Sequence, residues 1–343
     1  MRRMVQKSRM ALNCTDERIK NMTLFAKEKK PRRGLMAFEW IVLAYLLGTT
    51  LMILFMYTRM KHPETMLLGR TKILAMTLAL WGVYRLYPCR FTRLTRVVAH
   101  LALLSWWYPD TYELNRVLPN LDHIFANWEQ AVFGFQPALL FSKAIPNHIF
   151  SELMDLGYAS YFPMIALVSG FYFFCRYKEF ERATTIILGA FFIYYVIFVF
   201  LPVTGPQYYF QAVGEHQIAQ GIFPNLHDYF NTHNERMISP GWTDGIFYQL
   251  VEDAHNAGER PTAAFPSSHV GITTILMLLA WHTRNRHFFW ILMPFFILMC
   301  FATVYIKAHY AIDAIAGLVS GVLIYIIMWN LTRRLGEQQR KKS

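Results

Sequence analysis

The sequence predicts an all-α protein that crosses a membrane seven or eight times, and three observations predict this fold class. Of the 343 residues, 55% are hydrophobic and 16% are aromatic, which is too apolar for a soluble domain of this size. The apolar residues are gathered into runs, several of them near the roughly 20 residues that a membrane helix needs. The net charge of +12 lies in the tails, with +8 in residues 1–36 and +4 in residues 332–343.

This placement of charge indicates how the chain is organised. Basic tails beside apolar spans are typical of cytoplasmic segments that lie near anionic lipid. Because the tails hold the whole excess of Lys and Arg, nucleic-acid binding is disfavoured. The sequence divides into a basic cytoplasmic tail (1–36), N-terminal membrane helices (37–108), a second membrane domain (109–331) and a second basic tail (332–343).

The predicted spans follow the apolar runs. They are 38–57, 73–87, 97–107, 153–175, 183–203, 270–281, 288–305 and 310–329. The run at 97–107 is either a span completed by its flanking residues or an interfacial helix, so the count is seven or eight. Residues 121–135 have the pattern of an amphipathic helix that lies on the membrane, with Asp122 and Glu129 on its solvated face.

A long loop, residues 204–265, is rich in proline, glycine, aromatic residues and histidine. Loops of this length are uncommon unless they are functional. The short connections 176–182 and 282–287 are basic, so they and the C-terminal tail are expected to be cytoplasmic. The long loop carries only Arg236 and Arg260 as cations, so it is expected on the other side.

One basic segment does not fit this orientation. It is 58–72, whose cations are Arg59, Lys61, Arg70 and Lys72. Eight spans would put these residues on the non-cytoplasmic side. The charge pattern therefore leaves the number of N-terminal spans open.

The sequence predicts neither a metal site nor a disulfide. The four cysteines are Cys14, Cys89, Cys175 and Cys300. They show no Cys-x-x-Cys or Cys/His spacing. The long loop carries four histidines whose spacing matches no ligand pattern, so they are expected to be solvated: His216, His227, His233 and His255.

Two stretches carry the candidate chemistry, and each stands at the start of an apolar run. The first, 264–269, reads Ala-Phe-Pro-Ser-Ser-His. A helix that starts at Ser267 or Ser268 offers unpaired backbone N–H groups and a partial positive charge, which suit an anion. His269 follows directly.

The second stretch, 309–313, places His309 and Asp313 four residues apart, on one face of a helix. The carboxylate can hold one imidazole nitrogen and leave the other free to act. Two histidines, a carboxylate and an anion-binding helix end make a plausible phosphoryl-transfer site. The alternative is two unrelated histidines near helix ends. Both stretches are expected to open onto the same non-cytoplasmic face.

These stretches resemble the second and third motifs of the type 2 phosphatidic acid phosphatase superfamily, membrane enzymes with a core of six helices. The residues that carry the resemblance are Pro-Ser-Ser-His at 266–269 and His-x-x-x-Asp at 309–313. The longer pattern at 302–313 is similar to the inositol phosphorylceramide synthase branch. Gly-Pro-Gln-Tyr-Tyr at 205–209 resembles that branch's proline-aromatic motif, and the resemblance covers residues 121–329.

The sequence departs from the superfamily pattern at two places. The first motif, a Lys separated from Arg-Pro by six residues, is absent, because Asp253 stands where the Lys would precede Arg260. Residues 302–303 read Ala-Thr instead of the Ser-Arg that usually opens the third motif. The missing arginine favours the synthase branch over a simple phosphatase. Lys307 and Arg260 are then the candidate cations for the phosphate, although Lys307 could equally be an interface anchor.

The resemblance implies a role for each motif residue. His309 would attack phosphorus and form a phosphohistidine, and Asp313 would orient it. His269 would protonate the leaving alkoxide and then take a proton from the incoming hydroxyl. The helix end at Ser267 and Ser268 would hold the phosphoryl oxygens.

Two tyrosines of the proline-aromatic motif, Tyr208 and Tyr209, complete the candidate binding residues. They would either line the path by which lipid reaches the site or belong to the aromatic belt at the membrane interface. The implied partners are the membrane, a glycerophospholipid donor and a ceramide-like acceptor. The resemblance implies no metal or other cofactor.

The implied reaction moves a phosphoinositol-type headgroup to ceramide and releases diacylglycerol, with residues 109–331 as the catalytic domain. The site would face a bacterial periplasm or a Golgi lumen. One alternative is a lipid phosphate phosphatase that acts on phosphatidic acid or an isoprenoid phosphate. The other is a non-enzymatic transporter or scaffold, although the sequence shows neither repeated halves nor charge pairs across several spans.

Overall fold

A computed structural model describes residues 23–335, and most of both basic tails and Cys14 lie outside that range. The described chain contains fifteen α-helices and no β-strand. The first eight are α1 (Ala37–Phe55), α2 (Pro63–Leu86), α3 (Arg90–Ala102), α4 (Leu104–Asn115), α5 (Asp122–Phe133), α6 (Pro137–Ala144), α7 (His148–Ala159) and α8 (Tyr161–Cys175). The others are α9 (Tyr177–Phe200), α10 (Pro206–Val213), α11 (Glu215–Ala219), α12 (Ile246–Gly258), α13 (Ser268–His282), α14 (Arg286–Tyr305) and α15 (Ala311–Leu331).

The prediction of an all-α polytopic membrane bundle is confirmed. Within residues 23–335, five helices are long and apolar enough to cross a membrane: α1, α2, α9, α14 and α15. The pair α7 and α8, bent by 47°, makes a sixth. The structure thus has up to six candidate spans, fewer than the seven or eight predicted, because two of the predicted spans lie in helices that are too short. The run at 270–281 lies in α13, a helix of 15 residues, and the run at 97–107 is divided between α3 and α4.

The helices begin where the sequence supplies a cap for their first N–H groups. The side chain of Asn147 accepts a hydrogen bond from the N–H of Phe150 at the start of α7, at 3.1 Å. Asn285 does the same for Phe288 at the start of α14, also at 3.1 Å. Such side-chain oxygens satisfy backbone donors that have no partner inside the helix.

Helix α9 is the centre of the bundle, since 78% of its apolar window is buried, against 22–33% in the other four spanning helices. Beside it, α13 and α15 approach each other closely at two glycines. A Cβ atom at Gly317 would lie 2.5 Å from the carbonyl oxygen of Ser267, and one at Gly321 would lie 2.6 Å from that of Gly271. Only glycine allows this contact, which brings the starts of the two motif-bearing helices together.

The two short basic connections lie at one end of the bundle. Arg176 donates a hydrogen bond to the carbonyl oxygen of Thr283, and Arg182 donates to that of Trp329 at 2.8 Å. Helices α9, α14 and α15 each run from this end to the other or back. Residues 204–265 and the second histidine motif therefore lie at the opposite end.

The basic segment 58–72, whose charge did not fit the expected orientation, lies at the same end as residues 204–265. Arg59 and Lys61 line a surface pocket together with His227. Arg70 is buried, and it forms an ion pair with Asp110 at 2.8 Å. Because Asp110 neutralises Arg70, fewer free cations stand at this end than the sequence suggests.

Two buried ion pairs in the N-terminal helices were not expected. Besides Arg70 and Asp110, Arg96 pairs with Glu39, and all four side chains are buried. A buried charge is stable only when a partner compensates it. The pairs join α2 to α4 and α1 to α3, so they hold the N-terminal helices together.

Two expectations about the segments near the site are wrong. Helix α5 forms where 121–135 predicted it, but Asp122 and Glu129 are fully buried and not on a solvated face. The loop 204–265 contains three short helices, α10, α11 and α12. Its histidine His255 is only 5% exposed, on α12, so it is not solvated.

Candidate active site

The two predicted catalytic histidines meet at the end of the bundle. Nε2 of His309 lies 3.5 Å from Nδ1 of His269, and the ring centroids are 5.7 Å apart. His269 stands in the first turn of α13, and His309 in the connection between α14 and α15. The contact exists because the starts of α13 and α15 pack together.

The hydrogen bonding of His309 fixes which ring nitrogen is reactive. Its Nδ1–H donates to the carbonyl oxygen of Ala264 at 2.8 Å. A carbonyl oxygen can only accept, so in the neutral ring the lone pair is on Nε2. Burial lowers the pKa of His309 to about 4, against the opposite effects of the Ala264 carbonyl and Glu259. The ring is therefore neutral at pH 7, with Nε2 available as a nucleophile.

Asp313 lies near His309 but does not hold it by a hydrogen bond. Its Oδ2 atom is 3.6 Å from Nδ1 of His309 and accepts a hydrogen bond from the N–H of Tyr310 at 2.9 Å. Its main-chain carbonyl accepts from the N–H of Ser267 at 3.0 Å. Asp313 thus caps α15, joins it to the start of α13, and puts a carboxylate beside the imidazole. The acceptor that orients the ring is the Ala264 carbonyl.

The start of α13 has the features predicted for an anion site. Ser267 caps the helix, with its Oγ atom accepting from the N–H of Val270 at 3.4 Å. Within residues 23–335, the N–H groups of Ser268 and His269 have no hydrogen-bond acceptor. Free N–H groups at a helix start bind anions, because the helix dipole adds a partial positive charge.

His269, His309 and Ser268 line a cavity of about 340 Å³. Much of its wall is aromatic. The rings of Tyr158 and Tyr161 pack on His269, with centroids 4.7 and 4.4 Å from the imidazole. Among the described residues that line the cavity, none is Lys or Arg.

The two candidate cations lie outside this lining. Lys307 is buried, and its Nζ atom lies 3.9 Å from Oε1 of Glu215. Burial lowers the pKa of Lys307, and Glu215 opposes that shift. Arg260 is exposed, and its guanidinium donates to the carbonyl oxygen of Glu259 at 3.3 Å. A role for either in holding phosphate stays a prediction.

Tyr208 and Tyr209 are buried in a second hydrophobic cluster and do not line the cavity. The hydroxyl of Tyr209 donates to the carbonyl oxygen of Pro224 at 2.8 Å. Neither tyrosine is exposed as a residue of an interface belt would be. Both help to pack residues 204–230 beside the site, and a role in lipid binding stays a prediction.

Sequence reasoning missed the two carboxylates that position the second motif. Glu129 accepts hydrogen bonds from the N–H groups of Ala311 and Ile312, both at 3.0 Å, and so caps the first turn of α15. Burial raises the pKa of Glu129 to about 7, against the effect of these two donors. Its partners lie more than 180 residues away, so no local pattern could reveal them.

Asp122 is the second missed carboxylate. It accepts from the N–H groups of Thr204 and Gly205, at 2.6 and 2.9 Å, and from the hydroxyl of Tyr310 at 3.1 Å. Tyr310 directly follows His309. Asp122 therefore ties the start of the 204–265 segment to the second histidine motif.

Comparison with known proteins gave one match. A family model described as the PAP2 superfamily matches residues 123–327, which is more than half of the chain and includes both histidine motifs. No curated protein matches the chain, and no solved structure matches it.

Proposed function

Since the chain belongs to the PAP2 superfamily, we propose that it is a lipid phosphotransferase that moves a phosphoinositol-type headgroup from a glycerophospholipid to ceramide. Diacylglycerol is the other product. Membership of the superfamily by itself suggests a lipid phosphatase or phosphotransferase. The choice of transfer, the headgroup and the acceptor is our proposal.

The charge of the cavity lining is the observation that supports headgroup transfer from a phosphodiester. The described lining contains three histidines (His255, His269 and His309) and Glu259 but no Lys or Arg. A phosphate monoester carries a charge of about −1.5 to −2 at pH 7, whereas a phosphodiester carries a single negative charge. One helix start compensates a single negative charge better than two. This supports a diester donor, as in headgroup transfer, over phosphatidic acid.

The proposed reaction has two steps. In the first, Nε2 of His309 forms a bond to phosphorus, the bond to the diacylglycerol oxygen breaks, and His269 gives that oxygen a proton. The carboxylate of Asp313 stabilises the positive charge that develops on His309. In the second step, His269 takes the proton of the ceramide hydroxyl. The ceramide oxygen then forms a bond to phosphorus, and the bond between phosphorus and His309 breaks. The neutral state of His309 and its 3.5 Å contact with His269 support these roles.

The aromatic wall supports transfer over hydrolysis. A transferase has to keep water away from its phosphoenzyme until the second lipid binds. Tyr158 and Tyr161, packed on His269, cover the ring that would otherwise activate a water molecule. The alternative function remains a phosphatase, in which water replaces ceramide.

The experiment that tests the proposal follows the label of a donor lipid. The purified full chain is incubated with headgroup-labelled phosphatidylinositol and ceramide, and the lipid products are resolved. We expect label in a phosphosphingolipid and little free phosphate, with His309→Ala as the inactive control. Free phosphate or phospho-alcohol as the sole product, with ceramide ignored, would establish a phosphatase instead.

We also propose that the site faces the non-cytoplasmic side. The excess of basic connections at the other end of the bundle supports this orientation. In a background without the four native cysteines, a cysteine at exposed Asn225 is expected to react with a membrane-impermeant thiol reagent from outside. A cysteine at exposed Arg286 is expected not to react. Arg286 can be replaced without removing a helix cap, unlike its neighbour Asn285, which caps α14. The reverse labelling pattern would overturn the orientation.

A further inference from the structure

A second polar group lines the cavity and has no part in the proposed reaction. It consists of His255, Glu259 and Gln207. Nε2 of His255 lies 3.2 Å from Oε2 of Glu259, and the side-chain amide of Gln207 donates to Oε1 of Glu259 at 2.8 Å. Helix α12 and the residue after it supply two of these side chains, and α10 supplies the third.

This group is incompletely hydrogen-bonded. Both ring nitrogens of His255, Oε2 of Glu259 and Oε1 of Gln207 are buried without a hydrogen-bond partner. The 3.2 Å contact between His255 and Glu259 is close enough for an ion pair, but it lacks the alignment of a hydrogen bond. His255 is only 5% exposed and Gln207 only 2%. Nδ1 of His255 faces Glu252, whose Oε1 atom lies 3.7 Å away. Buried polar atoms are rarely left unpaired, so the other three atoms are suited to a ligand that enters the cavity.

The group stands close to the catalytic histidines. The ring of Tyr158 lies between the two sites, with its centroid 5.8 Å from that of His255 and 4.7 Å from that of His269. A phosphate held at His269 and His309 would therefore have its substituents within reach of His255 and Glu259. The unpaired atoms are placed to contact the part of a substrate next to its phosphorus.

The chemistry of the group selects hydroxyl groups. It offers a carboxylate oxygen and an amide oxygen, which only accept, and an imidazole, which can donate or accept. A hydroxyl both donates and accepts, so neighbouring hydroxyls can satisfy all of these atoms. A second phosphate would be repelled by Glu259, with no cation in the described lining to compensate. A quaternary ammonium group has no N–H or O–H to donate.

We propose that His255, Glu259 and Gln207 form a hydroxyl-binding subsite that holds a polyol beside the catalytic histidines. The inference rests on the proposed function for the position of the phosphorus, but it assigns new residues and a ligand chemistry. The hydroxyls belong to the polyol headgroup of the donor or to the polar end of the acceptor lipid. The subsite selects the substrate and takes no part in bond breaking.

The first test uses Glu259→Gln, which keeps an oxygen for the Gln207 amide and removes the charge. The Michaelis constant for phosphatidylinositol is expected to rise about 10-fold to 100-fold, the effect of losing hydrogen bonds to a buried charged group. Hydrolysis of bis(4-nitrophenyl) phosphate, which has no hydroxyl, is expected to fall by a clearly smaller factor, because it loses only the effect of the Glu259 charge on His309. The matched control is Asp253→Asn, which changes an exposed carboxylate on α12.

The two sources of hydroxyls give different outcomes. A rise in the Michaelis constant for the donor places the headgroup in the subsite, whereas a rise for ceramide alone places the acceptor there. An equal loss of activity toward phosphatidylinositol and the aryl diester would overturn the proposal, because it would show a general effect on the site.

A binding measurement separates this inference from the proposed function. Calorimetry compares inositol 1-phosphate with phosphocholine on the wild type and on Glu259→Gln. The wild type is expected to bind inositol 1-phosphate about 10-fold more tightly, and the variant is expected to lose that preference. If ceramide receives no headgroup but this preference is present, the proposed transfer fails and the subsite stands. Equal binding of both probes by the wild type, together with an unchanged Michaelis constant for ceramide in Glu259→Gln, would overturn the subsite.

Discussion

Replacement of His309 by alanine is expected to abolish turnover with every donor, because Nε2 of His309 is the proposed nucleophile. His269→Ala is expected to behave differently, since His269 supplies a proton to the leaving oxygen. With a lipid donor, its loss should lower the rate by about 10²–10⁴-fold, the usual contribution of general acid catalysis. An activated aryl phosphodiester needs no proton on its leaving group, so His269→Ala should keep measurable reactivity toward it. The measurement is the initial rate of each variant with each donor.

Three further variants complete this experiment. His309→Gln retains a side-chain N–H that can donate to the Ala264 carbonyl, so its inactivity would not reflect misfolding. Asp313→Asn is expected to fall between the two histidine variants, with binding largely intact. His216→Ala, an exposed histidine of the 204–265 segment, should have normal activity. If His309→Ala kept activity toward the aryl donor while His269→Ala lost it, the two roles would be inverted.

Replacement of Asp122 by alanine is expected to cause the largest loss of stability among single substitutions near the site. The buried carboxylate accepts hydrogen bonds from four residues: Thr204, Gly205, Asn120 and Tyr310. Alanine would leave these donors buried without an acceptor. Breaking a buried charged network costs about 3–5 kcal/mol. A fall of roughly 10 °C in the midpoint of thermal unfolding in detergent corresponds to such a loss.

The control for Asp122 is Asp244→Asn, which changes an exposed carboxylate in the 204–265 segment and should leave the midpoint within about 1 °C, as surface substitutions usually do. The comparison distinguishes a buried acceptor from a merely acidic residue. Unfolding of Asp122→Ala at the wild-type temperature would mean that this carboxylate does not hold the 204–265 segment to the second motif. Aryl diester activity should fall with the midpoint, because Tyr310 is the neighbour of His309.

The histidine contact illustrates how far the sequence reached into the site. The start of α13 was predictable because its cap is local: Oγ of Ser267 accepts a hydrogen bond from the N–H of Val270, three residues later. The meeting of His269 with His309, which are 40 residues apart, was favoured by the charge pattern, which puts both motifs on one face, and by the family resemblance. The acceptor for His309 was predicted as Asp313, four residues away, and it is instead the main-chain carbonyl of Ala264. A carbonyl oxygen is the same in every residue type, so no sequence pattern marks the one that will be used.

The burial of Asp122, Glu129 and His255 was not predictable from the sequence. From the sequence, Asp122 and Glu129 were expected on the solvated face of an amphipathic helix, and His255 was expected to be a solvated histidine of the long loop. Each is buried because a partner or a cavity wall arrives from a distant part of the chain. The sequence also could not show that the described cavity lining lacks Lys and Arg, because the lining residues come from several distant segments of the chain.

By itself, the sequence determined that this protein is a membrane bundle of helices with two histidine motifs at helix starts. The reason is that spans and caps depend on neighbouring residues, through the thickness of the lipid and the unpaired N–H groups of each first turn. Only the tertiary structure decided which groups surround the two histidines. Close packing of α13 and α15 at glycine brings distant carboxylates, carbonyls and aromatic rings to one cavity, and the charge of that cavity is a property of all of them together.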